Sequence, residues 1–561
     1  MSVGLVILFG VALAAHAGEL GRTVKIDIPA QPLASALRAL AKQADIQIMF
    51  APKVATGIYA PAISGAMSAR DALGLLLKTT KLEFSVDGPD TVIIRRRATR
   101  PPRTPHQVAR ASVSDEPAGA LLQEVVVTAE KRPELIRDIP MSISAVTASD
   151  LAANHIESYE DLSRTVPNLS FSTLGGEGLS NLEIRGISSQ AGTATVATYI
   201  DDVSLTTRNL YTEGAPEPIV FDLDRIEVLR GPEGTLWGAS ALGGVVRFVT
   251  NQPNLREFQG NVFEELATVS HGGTDWTVRG VLNLPLSPGR VALRIGAEHG
   301  VDGGYVNVQP LLPGEGDTPR SNGSDWTVSH VSLLIKPTDD LQITPAVFYQ
   351  TYHSNDTNVV LLSPDTADPY VDKKALLEPG TDEFAVPSLT IDWDAGPASL
   401  TSVTAYYQRR FDRINDLTIG NSESLATGSV SNPALAAVVF NLPSADFFNT
   451  TTNQLSEELR LASKPFVPGA SFPVTWLLGG FVSRDRTQFS DTQPIYGINA
   501  AFAQFGADPQ NPNDFSGGFP NDLPNDIAYY ALDHFNTTPY AAFGQATYHV
   551  EDWLRLTGGL R

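Results

Sequence analysis

"FDLDRIEVLRGPEGTLWGASALGGVVRFVTNQP", residues Phe221–Pro253, is the stretch whose reading decides the fold. Successive side chains of an extended chain point to opposite faces, so Ile226 and Val228 share one face of a strand and Glu227 and Leu229 the other. Gly231-Pro232 ends that strand. Val245-Val246-Arg247-Phe248-Val249 reads as a closing strand. Between them Gly234, Gly238, Gly243 and Gly244 permit tight reversals and close packing. Their spacing is neither G-x-x-x-x-G-K-[ST] nor G-x-G-x-x-G before a helix, so they read as turn glycines and not as a phosphate cradle.

Upstream, residues 130–252 are rich in turn signals and short strands. They include "LEIRGI", Leu182–Ile187, and "ATYIDDVSL", Ala197–Leu205. Ile139–Val146 alternates like a strand, and Ser149–Asn154 starts a helix with Ser149 as its expected cap. Further upstream lies Glu124-Val125-Val126-Val127-Thr128-Ala129, a short, strongly β-prone segment. It follows a Pro-, Ala- and Ser-rich linker, residues 98–123. Placed there, it is expected to be an exposed strand donor.

Residues 18–97 read as a compact α+β unit. Val24, Ile26 and Ile28 alternate as a strand does, and Pro32 opens a helix that carries Leu33, Leu37, Leu40 and Ala44. Ile46–Phe50 reads as a second strand. Ser68 caps a second helix, and Asp87-Gly88 joins a hairpin. Val3–Ala15 is almost wholly apolar and Ala15-His16-Ala17 is a small-x-small cleavage pattern, so residues 1–17 are expected to be a secretory signal peptide.

From residue 253 to 561 strands alternate with polar turns. Trp276, Val278, Leu282 and Leu284 share one face, against Thr277, Arg279 and Asn283. Alternation alone fits a soluble β-sandwich as well as a barrel with an apolar lipid face and a polar lumen; in a barrel Leu455, Leu459 and Leu461 are expected to meet lipid, Glu458 and Arg460 to face the lumen, and Glu457, on the lipid parity, to sit near the rim. Short turns such as 286–289 and 338–340 alternate with long polar segments, roughly 301–325, 354–385, 413–452 and 489–537, as in outer-membrane barrels.

The three motif stretches resemble the plug domain of TonB-dependent outer-membrane receptors of the iron-complex and siderophore type. Residues 18–97 resemble their secretin/TonB short N-terminal domain. The resemblance implies a mainly β fold: the small α+β domain, an α+β plug and a transmembrane antiparallel β-barrel. Such barrels have about 22 strands, and this sequence supplies about 11 at about 10 residues each. A truncated barrel is therefore expected. In that family residues 124–129 look like the TonB box, which adds a strand to the TonB sheet. The resemblance also implies that Arg185 and Arg230 meet barrel carboxylates and lock the plug. Glu458 is the preferred partner, while Gln545 stands where a second carboxylate is often found.

The implied function is TonB-dependent import of a scarce ligand across the outer membrane, with a ferric siderophore as the expected cargo. Cobalamin, heme and oligosaccharide are alternatives. So is signalling from residues 23–97 to an anti-sigma regulator. The N-terminal domain would be periplasmic and the receptor a monomer in lipid. A net charge of −22 argues against nucleic acid. The chain has no Cys, and its scattered His residues suggest no metal site. No catalytic motif appears, so neither catalytic residues nor a cofactor are expected.

Overall fold

A computed structural model describes residues 23–561 except 45, 51–57, 79, 81, 87–90, 97–124, 174, 176–177, 179, 190–191, 207, 210–215, 312–315, 361–367, 468–472, 509–510, 512, 515–523 and 552. The expected signal peptide, the linker, Glu124 and the Asp87-Gly88 turn lie outside the described residues. Chain contacts divide the molecule into two units, 1–119 and 120–561.

In the first unit, strand Thr23–Ile28 runs antiparallel to Ile63–Ser68. Strand Thr91–Arg96 pairs parallel to Gln47–Phe50 and antiparallel to Leu82–Val86. Helix Leu33–Ala44 turns Leu33, Ala36, Leu37 and Leu40 inward, since residues three and four apart share a helix face. Helix Ala69–Leu77 begins where the Ser68 hydroxyl accepts the Asp71 amide at 3.2 Å. Both helices pack onto Ile26, Ile28 and Val92, which are wholly buried.

In the second unit the plug is a five-stranded mixed sheet. Its strands run in the order Ile143–Thr147, Leu223–Arg230, Gly244–Thr250, Val196–Ile200, Val203–Ser204. Only Val196–Ile200 and Gly244–Thr250 are parallel. Ile226 and Val228 are fully buried with Val246 and Phe248. Each such side chain contributes about 1.5–3 kcal/mol. The helix after the first strand is Ala148–Ala153, and Thr147, not Ser149, caps it. Thr147 and Asp150 form a reciprocal box in which the Asp150 amide donates to Thr147 Oγ1 at 3.3 Å and the Thr147 amide to Asp150 Oδ2 at 3.0 Å. The acid three residues on selects the threonine.

The remaining large sheet has 12 antiparallel strands. Two of them, Ile527–Thr537 and Tyr540–Glu551, lie end to end along Val474–Pro494, so the 12 strands occupy 11 positions. Pro539, which has no amide hydrogen, falls at the break between them. Leu455, Leu459 and Leu461 are exposed on one face, while Glu458 and Arg460 are buried on the other. Glu457 is not left bare on the apolar side, because the Ser402 hydroxyl donates to its carboxylate at 2.7 Å and Thr404 donates to the other oxygen. Among the described residues no helix is long and apolar enough to cross a membrane.

The polar face of the sheet curls around the plug, since Arg294, Gln350, Arg460 and Phe543, on four different strands, all reach it. Short turns, such as Ser287 to Val291 and Asp394 to Ala398, close one end. Long connections lie at the other, and two of them carry helices among their described residues. Helices Pro433–Val439 and Ile498–Phe505 bury Leu435, Val439, Ile498 and Phe502 against each other. Segments expected to be polar loops thus hold a small apolar core.

Candidate functional site

Of the described residues of the segment expected to bind TonB, Val126 is exposed and the others are partly or fully buried. Val126–Val127 pairs antiparallel with Glu134–Leu135. Val127 and Ala129 are fully buried beside Leu229, Trp237 and Val245. The Thr128 amide donates to Glu227 Oε1 at 2.9 Å, and Trp237 Nε1 donates to the Ala129 carbonyl at 2.9 Å. The chain then reverses. Lys131 takes a left-handed φ of 59°, and its amide donates to the Thr128 carbonyl at 3.0 Å.

That reversal drives the Lys131 side chain, which is 0% exposed, into the seam between plug and barrel. Its ammonium lies 3.3 Å from Glu458 Oε1 and 3.5 Å from Asp202 Oδ1. It also sits 4.0 Å from the centroid of the Trp237 ring, a cation–π placement. Arg460 donates to Asp202 at 2.5 Å and to Glu458 at 2.7 Å. Arg247 reaches Asp202 at 3.4 Å and Glu227 at 3.2 Å.

Burial pushes the Lys131 ammonium below the usual lysine range, and Arg460 and Arg247 add to that. Glu458 and Asp202 oppose the shift without cancelling it. Burial also disfavours ionised Asp202, but Arg460, Lys131 and Arg247 outweigh it and hold its carboxyl well below the usual carboxylate range.

The expected lock needs correction. Glu458 faces the plug, but the plug cation that it meets is Lys131, not Arg185 or Arg230. Arg230 ends its strand and folds back, with Nη1 donating to the Pro167 carbonyl at 2.9 Å. Arg185 sits at a left-handed turn, φ 55°, its amide bonded to the Asn168 carbonyl and its guanidinium beside Gly231. Both arginines are turned toward other parts of the plug. Gln545 pairs with Leu477 and Gly559 in the sheet.

Two further ties were missed in the sequence. Arg294 grips Asp222 through Nε at 2.7 Å and Nη2 at 2.5 Å, the forked geometry that suits a carboxylate. Gln350 donates to the Glu217 carbonyl at 2.8 Å and accepts the Ile219 amide at 2.8 Å, clamping the plug backbone. Asp202 and Asp222 stand inside the motifs quoted above, and Arg294 and Arg460 are lumen-parity arginines. That signal was available.

At the end with long connections a cavity of about 370 Å³ opens between plug and sheet. Plug residues Phe171, Gly175 and Glu217 form one wall, and Asp302, Tyr305 and Tyr352 the other. The plug loop is tied there, with the Gly175 carbonyl accepting the Thr357 hydroxyl at 2.5 Å. Burial pushes the Glu217 carboxyl up to about 7, against hydrogen bonds from Ser180 and the Gly178 amide.

The family described as TonB-dependent Receptor Plug Domain matches residues 135–245. The chain is 30% identical to the ferric-pyoverdine 358 receptor of Pseudomonas putida over 244 residues, 42% of this chain and 29% of that receptor. It is 31% identical over 150 residues to an iron-regulated outer membrane virulence protein of Vibrio cholerae, covering 26% of this chain and 22% of that protein. The matches therefore span less than a third of these curated relatives. The fold resembles that of the ferripyoverdine receptor of Pseudomonas aeruginosa, with TM-score 0.55 and 18% identity over 96% of this chain and 64% of that one. It also resembles the ferric yersiniabactin uptake receptor of Yersinia pestis, with TM-score 0.52 and 16% identity over 75% of this chain and 64% of that one. Residues 135–245 thus match the plug family of TonB-dependent receptors, and in this chain they are seated against the polar face of a sheet whose other face is apolar.

Proposed function

We propose that the protein imports a ferric siderophore across the outer membrane, driven by TonB. The single observation that carries this reading is the joint between residues 125–129 and the plug–barrel seam. The β-prone segment and the latch residue Lys131 are near neighbours in the chain, so a pull on the first bears directly on the second. A passive pore has no use for such a joint. In the proposed cycle, cargo enters from the side with long connections and contacts the plug loop at Gly175. The plug shifts, the hairpin Val126–Leu135 opens, and residues 124–129 pair with TonB on the periplasmic side. Work done through TonB then draws Lys131 away from Glu458 and Asp202 and loosens the plug. The matched relatives named for ferric pyoverdine and iron regulation support iron as cargo.

The test is uptake of radioactive iron by cells that lack their own siderophore receptors and produce this protein. Uptake should depend on TonB and cease with a protonophore. Uptake that survives the protonophore would leave a passive pore as the better reading.

A second role is supported by residues 23–96, which have an apolar core of their own. In this reading the periplasmic unit reports cargo to an anti-sigma regulator of the inner membrane. Deleting residues 23–97 should leave uptake intact and abolish gene induction. Loss of neither would remove the signalling role.

A further inference from the structure

The outer face of the large sheet carries an unmatched charge. Along strand Val474–Pro494, Leu478 and Val482 are exposed on the apolar face, and Arg484 and Arg486 follow them on the same parity. Both arginines are exposed, and among the described residues neither guanidinium has a hydrogen-bond or ion-pair partner. Two residues along a strand span about 7 Å, so both guanidiniums can reach one anion. Asp485, between them, faces the other way, where the hydroxyls of Ser483 and Thr537 donate to its carboxylate at 2.8 and 3.2 Å. Asp412 and Glu383, carboxylates of the outer face on nearby strands, are engaged as well. Arg410 donates to Asp412, and the Tyr349 hydroxyl donates to Glu383 at 3.0 Å.

A second observation puts the pair at a boundary. Leu455 stands opposite Arg484, and Tyr406 opposite Leu455. Tyr540, 84% exposed, stands opposite Val482. Aromatic residues flank the apolar band of a membrane barrel at its interfaces, so the band ends at this row and the two arginines lie just beyond it. The row beyond is polar: Asn453 and Asn536 flank Arg486, and Thr451 and His534 flank Gln488. From Arg486 the strand leads to the long connection that carries helix Ile498–Phe505, which fixes the side of the band. By contrast Arg290 and Lys464, near the short turns, are each paired, with Asp339 at 3.1 Å and Asp394 at 2.6 Å.

We propose that Arg484 and Arg486 bind the phosphate of a lipid head group in the leaflet on the side with long connections. The proposal rests on the apolar face of the sheet meeting lipid, and it goes beyond cargo import. A guanidinium fork matches phosphate oxygens in shape and charge. A basic pair at head-group height draws anionic lipid to the protein, while the apolar residues beneath it receive the acyl chains.

The test uses the purified full chain in a non-ionic detergent and counts retained lipid by native mass spectrometry. The probes are lipid A with both phosphates, the same lipid with both phosphates removed, and inorganic phosphate. The phosphorylated lipid should bind about 25-fold tighter than the dephosphorylated one, about fivefold for each arginine. Arg484→Gln and Arg486→Gln should each shrink that ratio about fivefold, and the double variant should bind the two lipids alike. Arg290→Gln, at the other end of the sheet, should leave the ratio unchanged. The ratio within the unsubstituted protein keeps the test valid if a variant folds poorly. Equal binding of the two lipids by the parent, binding of neither, or a ratio that the double variant keeps overturns the proposal. Displacement of the phosphorylated lipid by inorganic phosphate at equal concentration also overturns it, because the site would then serve a soluble anion. None of these outcomes bears on iron import, which the protonophore test decides.

Discussion

Lys131 and Glu458 meet 3.3 Å apart across the seam between plug and barrel, and Lys131 is the more deeply buried of the two. Burial outweighs attraction for the lysine, whose pKa is lowered despite two carboxylate neighbours. The two ends of this pair should therefore respond differently to mutation. Removing Glu458 leaves Lys131 and Arg460 sharing Asp202 alone, a buried excess of positive charge. Breaking a buried pair in this way costs about 3–5 kcal/mol. Glu458→Gln should expose residues 125–129, read as lost hydrogen-exchange protection of the Thr128 amide. Unchanged protection would remove Glu458 from the latch.

Lys131→Met should behave in the opposite sense. It deletes the desolvated charge that lies over Trp237 and keeps an apolar stem, while Arg460 still bridges Glu458 and Asp202. Replacing buried charge by an apolar side chain of similar size is often neutral or stabilising. Thermal stability should stay within about 1 kcal/mol of the parent. A large loss would show that the lysine, and not the arginine, holds the cluster together.

Asp222 and Arg294 form the other tie, and both side chains are nearly buried. Asp222→Asn leaves the guanidinium without its counter-charge and should cost about 3–5 kcal/mol. A double-mutant cycle with Arg294→Met, followed by denaturant unfolding in micelles, would measure the coupling. Additive losses would mean that the pair does not fasten the plug.

Glu217 predicts a pH dependence. Its folded pKa, about 7, lies above its ordinary value because the plug and Gln350 strand bury it. The charged neighbours that face it are Asp382, which raises the value further, and Arg409, which lowers it. The folded state thus binds the proton more tightly than the unfolded state. Its contribution to stability is full below the unfolded pKa and is lost as pH rises through about 7. Melting temperature should fall between pH 5 and pH 8 by an amount that Glu217→Gln removes. An unchanged slope in the variant would assign the effect elsewhere.

Gly244 tests the plug motif itself. A Cβ there would stand 2.2 Å from the Leu229 carbonyl oxygen and 2.8 Å from Ile184 Cδ1. The first is sheet backbone and has nowhere to move. Gly244→Ala should destabilise the plug by about 1–3 kcal/mol or more, seen as proteolysis of residues 135–245 under conditions that spare the parent. Full resistance would show that the sheet tolerates the methyl group.

The β-architecture was legible because its signals are local. Alternation in Leu455–Leu461 separated the apolar face from the polar one, and the glycines and short strands of Phe221–Pro253 marked the plug. Glu458 was assigned to the inner face by parity alone, and it is there. Its partner was not legible. Arg185 and Arg230 are arginines in the right motifs, yet both serve contacts within the plug. The cap of helix Ala148–Ala153 was misplaced because Ser149 and Thr147 are both good caps, and Asp150 decides between them.

What the sequence determined by itself is each side chain's face and each element's type, because side-chain period and turn chemistry act over a few residues. What only the tertiary structure decided is which charges meet. The left-handed turn at Lys131 follows a strand that is buried on one side only and delivers an ammonium to Asp202 and Glu458. That meeting depends on how far the plug is seated along the sheet and on the register of neighbouring strands. Both are set by the packing of the whole plug against the sheet, and no local pattern encodes either.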